Sequence, residues 1–424
     1  MALELTRGLS PLRSSLGNGA VILVQPTAMA PAVTIDCAFR AGSLFDPPEL
    51  PGVSQLVGHV LDRGSLRRPA DILAEELDER GVALRVTTTR HRLAVSCTCL
   101  SEDFDEVLAI LLDVARRPAF PEAEIDIRRA ETMTALRQDD DNPAVRAVDA
   151  LAQTLYGPDH PYGRKGKGSV ESVERITRAH LQAFHEQWVR PSSLSLAIVG
   201  DVDPQGAIAL AEAELDDWIA DRVQDPIVPA PEVPVTRRVR HVDMPGKAQA
   251  DIAYGFNTVR RLDPRYYAYW MMNNVLGQFG LGGRLADSIR ERHGMAYYVY
   301  STFDASEGEG PLIVRAGVDP VNVDRAVDLI DCEVRSLGTD GPTETELDET
   351  REYLIGSIPR LLETNQSIAD FLQAAERYGL GLDYDRRLPG LLRAVALEEV
   401  RGAAEEVLNP DVATVATAGA PAAR

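Results

Sequence analysis

The histidines of this 424-residue chain are the first candidates for metal or acid–base chemistry, and their spacing limits what they can do. Two imidazoles four residues apart on a helix share a face and can bind one zinc ion, whereas a spacing of five places them on different faces. His180 and His185 are five apart on a predicted helix, and His160 and His241 have no partner pattern. We therefore expect no shared metal at His180 and His185, and capping or surface roles for His160 and His241.

Two glycine-rich runs resemble phosphate-binding loops but lack the lysine that such loops need. Gly277, Gly280, Gly282 and Gly283 are not followed by Lys-Ser or Lys-Thr, and Gly163–Ser169 has no lysine between its final glycine and serine. We interpret both runs as loops at helix ends. The sequence also shows no Ser-His-Asp or Cys-His order with a recognisable nucleophile turn.

The composition is typical of a soluble globular protein with no affinity for polyanions. Hydrophobic residues make up 45% and charged residues 26% of the chain, and the formal net charge is −21. Nucleic acids and anionic membranes are bound mainly by cationic side chains, so we expect neither as a partner. No run approaches the roughly 20 apolar residues of a membrane helix, and the first residues lack the order of a signal peptide. We therefore expect a cytoplasmic protein with reduced, buried thiols at Cys37, Cys97, Cys99 and Cys332.

The chain repeats itself at long range, which predicts two copies of one structural unit. The predicted strand Thr34–Arg40 resembles Asp251–Asn257 at a shift of 217 residues. The amphipathic helix predicted at Phe104–Ala115 recurs between Val323 and Val334. A second long helix rich in Glu and Arg follows in each half.

Each half ends in a predicted strand, at Leu194–Gly200 and Val412–Ala418, and alternating strands such as Leu93–Cys99 predict a sheet with helices on one face. The proline-rich run Gln224–Pro234 favours an extended connector. We therefore predict an α+β fold made of two homologous α/β sandwich units. The predicted divisions are residues 1–223, a linker at residues 224–236, and residues 237–424.

The run Gly52–Ser65 resembles the zinc-binding helix of the pitrilysin/insulinase-type, mitochondrial-processing-peptidase-like peptidases. In that family an inverted motif, H-x-x-E-H, supplies two zinc ligands and the glutamate that activates water. The matching positions here are Gln55, Gly58 and His59. A further family ligand is a glutamate that precedes a D-N-P pattern, and this chain carries Ala135 at that place.

The resemblance implies that this chain does not hold zinc by itself. A zinc site needs three or four donors, and only His59 remains at the matched positions. We therefore expect no metal cofactor in this chain and regard His59 as an ordinary helix residue. The same resemblance implies the mitochondrial-processing-peptidase-like, or LuxS-like metallohydrolase, fold, in which two units form half of a clamshell.

A second family segment remains intact at Leu281–Ser301. In the family, an Arg and a Tyr seven residues later hold substrate main chain and stabilise the developing oxyanion at the zinc cleft. The resemblance assigns these roles to Arg290 and Tyr297, acting in trans on a partner's site. Tyr298 and Tyr300 lie close enough that the choice among the tyrosines stays open.

The alternative interpretation makes Arg290 a solvated helix residue and Tyr297 a core aromatic residue. Aligning the two repeats places Leu77 opposite Arg290 and Leu84 opposite Tyr297. The fold therefore accepts apolar residues at both places, and we favour the functional interpretation.

The resemblance implies one leading function and leaves two others open. The leading hypothesis is a non-catalytic, substrate-binding subunit of a heterodimeric zinc metallopeptidase, inactive alone, with zinc in a paralogous partner and a peptide as substrate. The second hypothesis is a peptidase-derived scaffold or binding protein without a proteolytic role. A lone metallopeptidase is disfavoured by the missing donors, and a homodimer in the absence of the partner stays open.

Overall fold

The computed structural model describes residues 8–221, 224–278 and 282–420. Gly280 and Leu281, which the sequence analysis names, lie outside the described residues. The described chain packs as two compact units. Unit 1 takes its residues from Met1–Leu136, Lys165–Pro226 and Ile358–Arg387, and unit 2 from Arg137–Arg164, Ile227–Ser357 and Leu388–Arg424.

Both units are discontinuous in the sequence, so they differ in extent from the two consecutive segments 1–223 and 237–424. One passage between units, after Pro226, falls inside the predicted linker, whose residues form neither helix nor strand. The chain also passes from one unit to the other after Leu136, Arg164, Ser357 and Arg387, so each half of the chain contributes to both units. That the two halves are homologous repeats stays a prediction.

Eleven strands and fourteen α-helices make up the described residues. The strands are β1 (Leu12–Ser15), β2 (Val21–Pro26), β3 (Ala32–Phe39), β4 (Arg85–Thr88), β5 (Leu93–Leu100), β6 (Leu194–Gly200), β7 (Arg238–Asp243), β8 (Ala250–Asn257), β9 (Ala296–Phe303), β10 (Pro311–Val318) and β11 (Thr414–Gly419). The helices are α1 (Val53–Val60), α2 (Ala70–Asp78), α3 (Phe104–Arg116), α4 (Glu122–Asp140), α5 (Pro143–Tyr156), α6 (Val170–Glu174), α7 (Arg178–Trp188), α8 (Pro204–Leu215), α9 (Tyr266–Asn273), α10 (Val323–Asp340), α11 (Glu344–Leu361), α12 (Asn365–Arg377), α13 (Tyr384–Ala394) and α14 (Leu397–Val407).

The two sheets share one strand order. Unit 1 has the order β1-β2-β6-β3-β5-β4, and unit 2 has β7-β11-β8-β10-β9. In each sheet one pair is parallel, β2 with β6 and β7 with β11, and the other pairs are antiparallel. Without β1, the two orders correspond strand for strand. The predicted α+β fold of two α/β units is therefore confirmed.

Consecutive residues of the central strands β3 and β8 are buried, so both faces of each sheet are covered and the prediction of helices on one face only is wrong. In unit 1, one face is covered by a helix from the C-terminal half of the chain. Helix α12 packs on β6 and β3. The cluster that they form is buried and apolar, because successive turns of the helix present one apolar face to the sheet. Its members are Leu9, Leu23, Ala197, Val199, Ile368, Ala369 and Leu372.

The sheet of unit 2 is covered by α5, which packs on β8 and β11. Small residues dominate this contact, so the helix and the strands approach closely. The buried cluster consists of Ala147, Ala150, Leu151, Met244, Ala253, Ala416 and Ala418. Strands β9 and β10, at the far end of the same sheet, are paired along their length.

The prediction of buried thiols is confirmed for Cys37, Cys97 and Cys99 and is wrong for Cys332. Burial raises the pKa of the Cys37 and Cys97 thiols well above the usual range. Cys332 is exposed because it lies on the side of α10 that faces away from the buried residues Ala326, Ile330 and Val334. Among the described helices, none combines the length and apolar character that crossing a bilayer requires.

We expect Gln373→Ala to destabilise unit 1. The buried Gln373 amide donates to the Asp36 carbonyl and carboxylate at 3.0 and 2.8 Å and to the Ser195 carbonyl at 2.9 Å. Its loss leaves buried acceptors unsatisfied, at a cost of about 1–3 kcal/mol. Calorimetry should show a lower unfolding midpoint. The exposed Gln205→Ala is the matched control, and equal midpoints for both variants would contradict the expectation.

Candidate functional site

Helix α1 carries three of the four positions that the zinc motif predicts, and a buried carboxylate fixes its start. The backbone N–H groups of Gly52 and Ser54 donate to Asp46 at 2.6 and 2.9 Å. A negative charge at a helix N-terminus satisfies unpaired donors and interacts favourably with the helix dipole. The side chains of Gln55 and His59 then follow one turn apart on the same face.

Both ring nitrogens of His59 have hydrogen-bond partners. Thr132 donates its hydroxyl proton to the Arg128 carbonyl at 2.7 Å, so its oxygen accepts from His59 Nδ1 at 3.1 Å. His59 Nε2 consequently carries the lone pair, which accepts from the Gln55 amide at 3.0 Å. Partial burial, together with the nearby Arg128 guanidinium, lowers the pKa of His59. The ring is therefore a neutral acceptor at physiological pH.

The residues present do not fit a zinc ion. Ala135 has no donor atom, and it lies three residues from Thr132 on α4, so it occupies the neighbouring place on the face that contacts His59. Gly58 has no carboxylate, and a Cβ there would overlap Thr88 Oγ1. Glu131 is paired with Arg128 at 2.7 Å. The described residues contain no group of three or more His, Cys, Asp or Glu side chains that could hold a metal.

The other histidines have structural contacts. His180 Nδ1 accepts from the Thr177 backbone N–H at 3.1 Å, at the start of α7. His185 is buried against the Ala115 carbonyl at 2.7 Å, and burial lowers its pKa to about 4. His160 is buried and contacts the Pro229 carbonyl at 3.0 Å, so the expected surface role is wrong for it. His241 is exposed, as expected, and contacts Thr417 at 2.8 Å.

Arg290 lies in unit 2, in a π-helical segment, Ala286–Arg292, that the sequence did not predict. The Arg284 guanidinium fixes the start of this region by binding Glu346 on α11 at 2.6 and 2.8 Å. Gly294 follows the segment, and its N–H donates to the Arg290 carbonyl at 3.0 Å. The Arg290 side chain is 49% exposed, and its ion pair with Glu291 is long, at 3.8 Å.

Tyr297 lies on the edge strand β9 and is 63% exposed. Tyr298 pairs with Gly317 and Ala296 with Val318, so Tyr297 is the extra residue of a β-bulge. No hydrogen bond to its hydroxyl forms within the described residues. The interpretation of Tyr297 as a core aromatic residue is therefore excluded, and its functional role stays a prediction.

Tyr298 differs from Tyr297 because its hydroxyl is engaged. It donates to the carboxylate of Asp251, which is 2% exposed. Burial and the adjacent Asp251 carboxylate raise the pKa of Tyr298 well above its usual range, so the phenol stays protonated. The Arg315 guanidinium lies over the ring of Tyr300. The sequence pattern did not lead us to predict a functional role for Asp251. The signal that could have indicated it is an acidic residue at the start of a strand that is otherwise apolar.

The turn before β9 has a counterpart in unit 1. Gly81 and Gly294, aligned by the internal repeat, have φ angles of +62° and +61°, which favour glycine. Leu77 is buried, whereas the aligned Arg290 is half exposed. Gln55, Gly58, His59 and Ala135 belong to unit 1, and Arg290 and Tyr297 belong to unit 2.

Comparisons with protein families agree with these features. Residues 21–163 match the model of insulinase, peptidase family M16, and residues 175–354 match the model of the peptidase M16 inactive domain. The fold and the two matches define a peptidase-type protein of two units. The chain belongs to the M16 (insulinase) family, and the resemblance found in the sequence is confirmed.

Individual relatives cover nearly the whole chain. A Mycobacterium tuberculosis protein named an uncharacterized zinc protease is 26% identical over 405 residues, which are 95% of this chain and 91% of the relative. A crystal structure of a peptidase M16 inactive domain from Pseudomonas fluorescens is 26% identical, with a TM-score of 0.91, and covers 98% of this chain and 99% of that chain. A Helicobacter pylori protease, 16% identical with a TM-score of 0.87 over 97% of this chain and 99% of that chain, shares the fold.

We expect the wild-type chain to bind no stoichiometric zinc, and Gln55→His with Ala135→Glu to create a site. The two substitutions add donors beside His59 Nε2, which gives the three donors that can hold about one zinc ion per chain. Elemental analysis after dialysis measures the stoichiometry. The same double variant with His59→Ala is the control. Zinc bound stoichiometrically to the wild type would refute our account of the donor set.

We expect the contact between Glu346 and Arg284 to stabilise unit 2 at neutral pH, and we expect this stabilisation to be lost in acid. Burial alone would raise the pKa of Glu346, but Arg284 and Thr343 outweigh it and lower the pKa from 4.5 to about 2. The depressed value means that the stabilisation is complete above pH 4.5 and is lost as the pH falls toward 2. Glu346→Gln should therefore lower the melting midpoint at pH 7, with a smaller difference near pH 3. Glu344→Gln is the exposed control, and a pH-independent difference would disagree with this sign.

Proposed function

We propose that this chain is the non-catalytic, substrate-holding subunit of a heteromeric zinc metallopeptidase whose metal is bound by a paralogous partner. The observation that carries the proposal is an asymmetry between the two units. In unit 1 the expected zinc donors are replaced, and both nitrogens of His59 have protein partners. In unit 2 the Arg290 guanidinium is half exposed and the Tyr297 hydroxyl is unengaged within the described residues.

The chemistry of these two side chains suits peptide hydrolysis at the partner's site. During attack on a peptide bond, negative charge develops on the carbonyl oxygen, and a positioned donor stabilises it. A phenol such as Tyr297 donates one hydrogen bond without carrying a charge. A guanidinium such as Arg290 presents a planar set of donors that can bind carbonyl oxygens of an extended peptide.

The names of the relatives support both parts of the proposal. The mycobacterial relative is named a zinc protease, which is consistent with a proteolytic setting. The structure from Pseudomonas fluorescens is described as an inactive domain, which is consistent with a chain that lacks the metal site. Fold alone does not define activity, so the argument rests on the side chains.

We expect the chain and its zinc-bearing paralogue to cleave peptides together and the chain alone to be inactive. Tyr297→Phe should lower kcat of the mixture by roughly 10²-fold, because it removes one oxyanion donor. Arg290→Ala should lower kcat/KM through weaker binding of the peptide main chain. Cleavage of a fluorogenic peptide by the purified mixture measures both effects.

Matched controls separate these roles from general damage to the segment. Arg292→Ala removes a neighbouring exposed guanidinium that pairs with Asp287, and Tyr300→Phe removes a hydroxyl further along the same strand. Both controls should retain near wild-type rates. If Tyr297→Phe and Arg290→Ala also left the rate unchanged, the proposal would be wrong, and a scaffold or binding function would be favoured.

A further inference from the structure

We infer that Asp251, acting through the hydroxyl of Tyr298, is a positioning residue that keeps Tyr297 exposed for substrate contact. The inference rests on the proposed function for the use made of Tyr297. The geometry does not depend on a partner, since every residue involved belongs to unit 2 of this chain.

The orientation of Tyr297 is not the one that strand alternation gives. Side chains of a strand alternate between the two faces of the sheet, so Tyr297 would share a face with Val299 and Ser301. Val299 and Ser301 are buried, at 7% and 1% exposure, whereas Tyr297 is 63% exposed. The bulge between Ala296 and Tyr298 accounts for the difference, because an extra residue breaks the alternation and re-aims its side chain.

The bulge is held by a contact that crosses the neighbouring strand. Gly317 of β10 pairs with Tyr298 on one side and with Asp251 on the other. A Cβ at Gly317 would lie 2.5 Å from Tyr298 Cε1 and 2.6 Å from Gln249 Nε2. Glycine is therefore needed for the Tyr298 ring to lie across β10 and reach Asp251 on β8.

The acceptor at the end of this contact is itself fixed. One oxygen of the buried Asp251 carboxylate accepts from Tyr298, and the other accepts from Gln249 Nε2 at 3.1 Å. A buried carboxylate without donors would be costly, so the phenol and the amide satisfy its two oxygens. The carboxylate in turn holds the Tyr298 ring over Gly317, which keeps Tyr297 as the extra residue of the bulge.

Tyr298→Phe tests the inference because it removes one hydroxyl and keeps the ring. Without the contact to Asp251 the bulge should relax, and Tyr297 should turn toward the buried face of β9. Nitration of the full chain with tetranitromethane, mapped by mass spectrometry, should then be at least about threefold slower at Tyr297. In the heteromer, kcat should fall about tenfold with KM within about twofold, because a donor is misplaced.

Three further variants make the test specific. Asp251→Asn keeps an oxygen that can accept from Tyr298. The nitration rate of Tyr297 and kcat should therefore be closer to the wild-type values in Asp251→Asn than in Asp251→Ala. Tyr300→Phe changes the next tyrosine on the face of β9 that carries Tyr298, and it should not alter the nitration of Tyr297.

The outcomes separate this inference from the proposed function. If Tyr298→Phe left the nitration of Tyr297 unchanged, the inference would be overturned, whatever the rates. If it slowed nitration while Tyr297→Phe left cleavage unchanged, the positioning role would stand and the proposed function would fail. Slower nitration together with a lower kcat in both variants supports the two together.

Discussion

Each sheet of this protein depends on a helix from a distant part of the sequence to cover one of its two buried faces. Helix α12 covers β3 and β6 in unit 1, and α5 covers β8 and β11 in unit 2. An apolar sheet face is stable only when another layer buries it. Because α5 comes from the first half of the sequence and α12 from the second, neither half contains a complete core. The sheets, and the side chains that they position, therefore require the whole chain.

Periodicity predicted the elements but not their partners. The predicted helix Phe104–Ala115 and strand Leu194–Gly200 match α3 and β6 closely, because helical spacing of apolar residues and a short apolar run are both readable patterns. The exchange of α5 and α12 was not predictable, since an apolar face does not identify the sheet that it covers. The missing zinc donors were readable as residue types. The contacts of His59 with Thr132 were not, because they join helices far apart in sequence.

The two candidate regions differ in how their polar atoms are satisfied. Around His59, neutral donors and acceptors of the protein bind one another, so both ring nitrogens already have hydrogen-bond partners. Around Tyr297, the protein satisfies the neighbouring phenol of Tyr298 and leaves one phenol exposed. A buried carboxylate such as Asp251 is costly unless its partners are fixed. Asp251 therefore connects the packing of unit 2 to the exposed side chain of Tyr297.

The glycine at position 58 bears on how such a chain can change over time. Its lack of a side chain lets α1 lie against Thr88, and a carboxylate there would need the threonine to give way first. A carboxylate at this position therefore depends on a change at Thr88 that makes room for it, so the order of the two substitutions matters. Tight packing of this kind couples the replacement of one residue to the replacement of its neighbour.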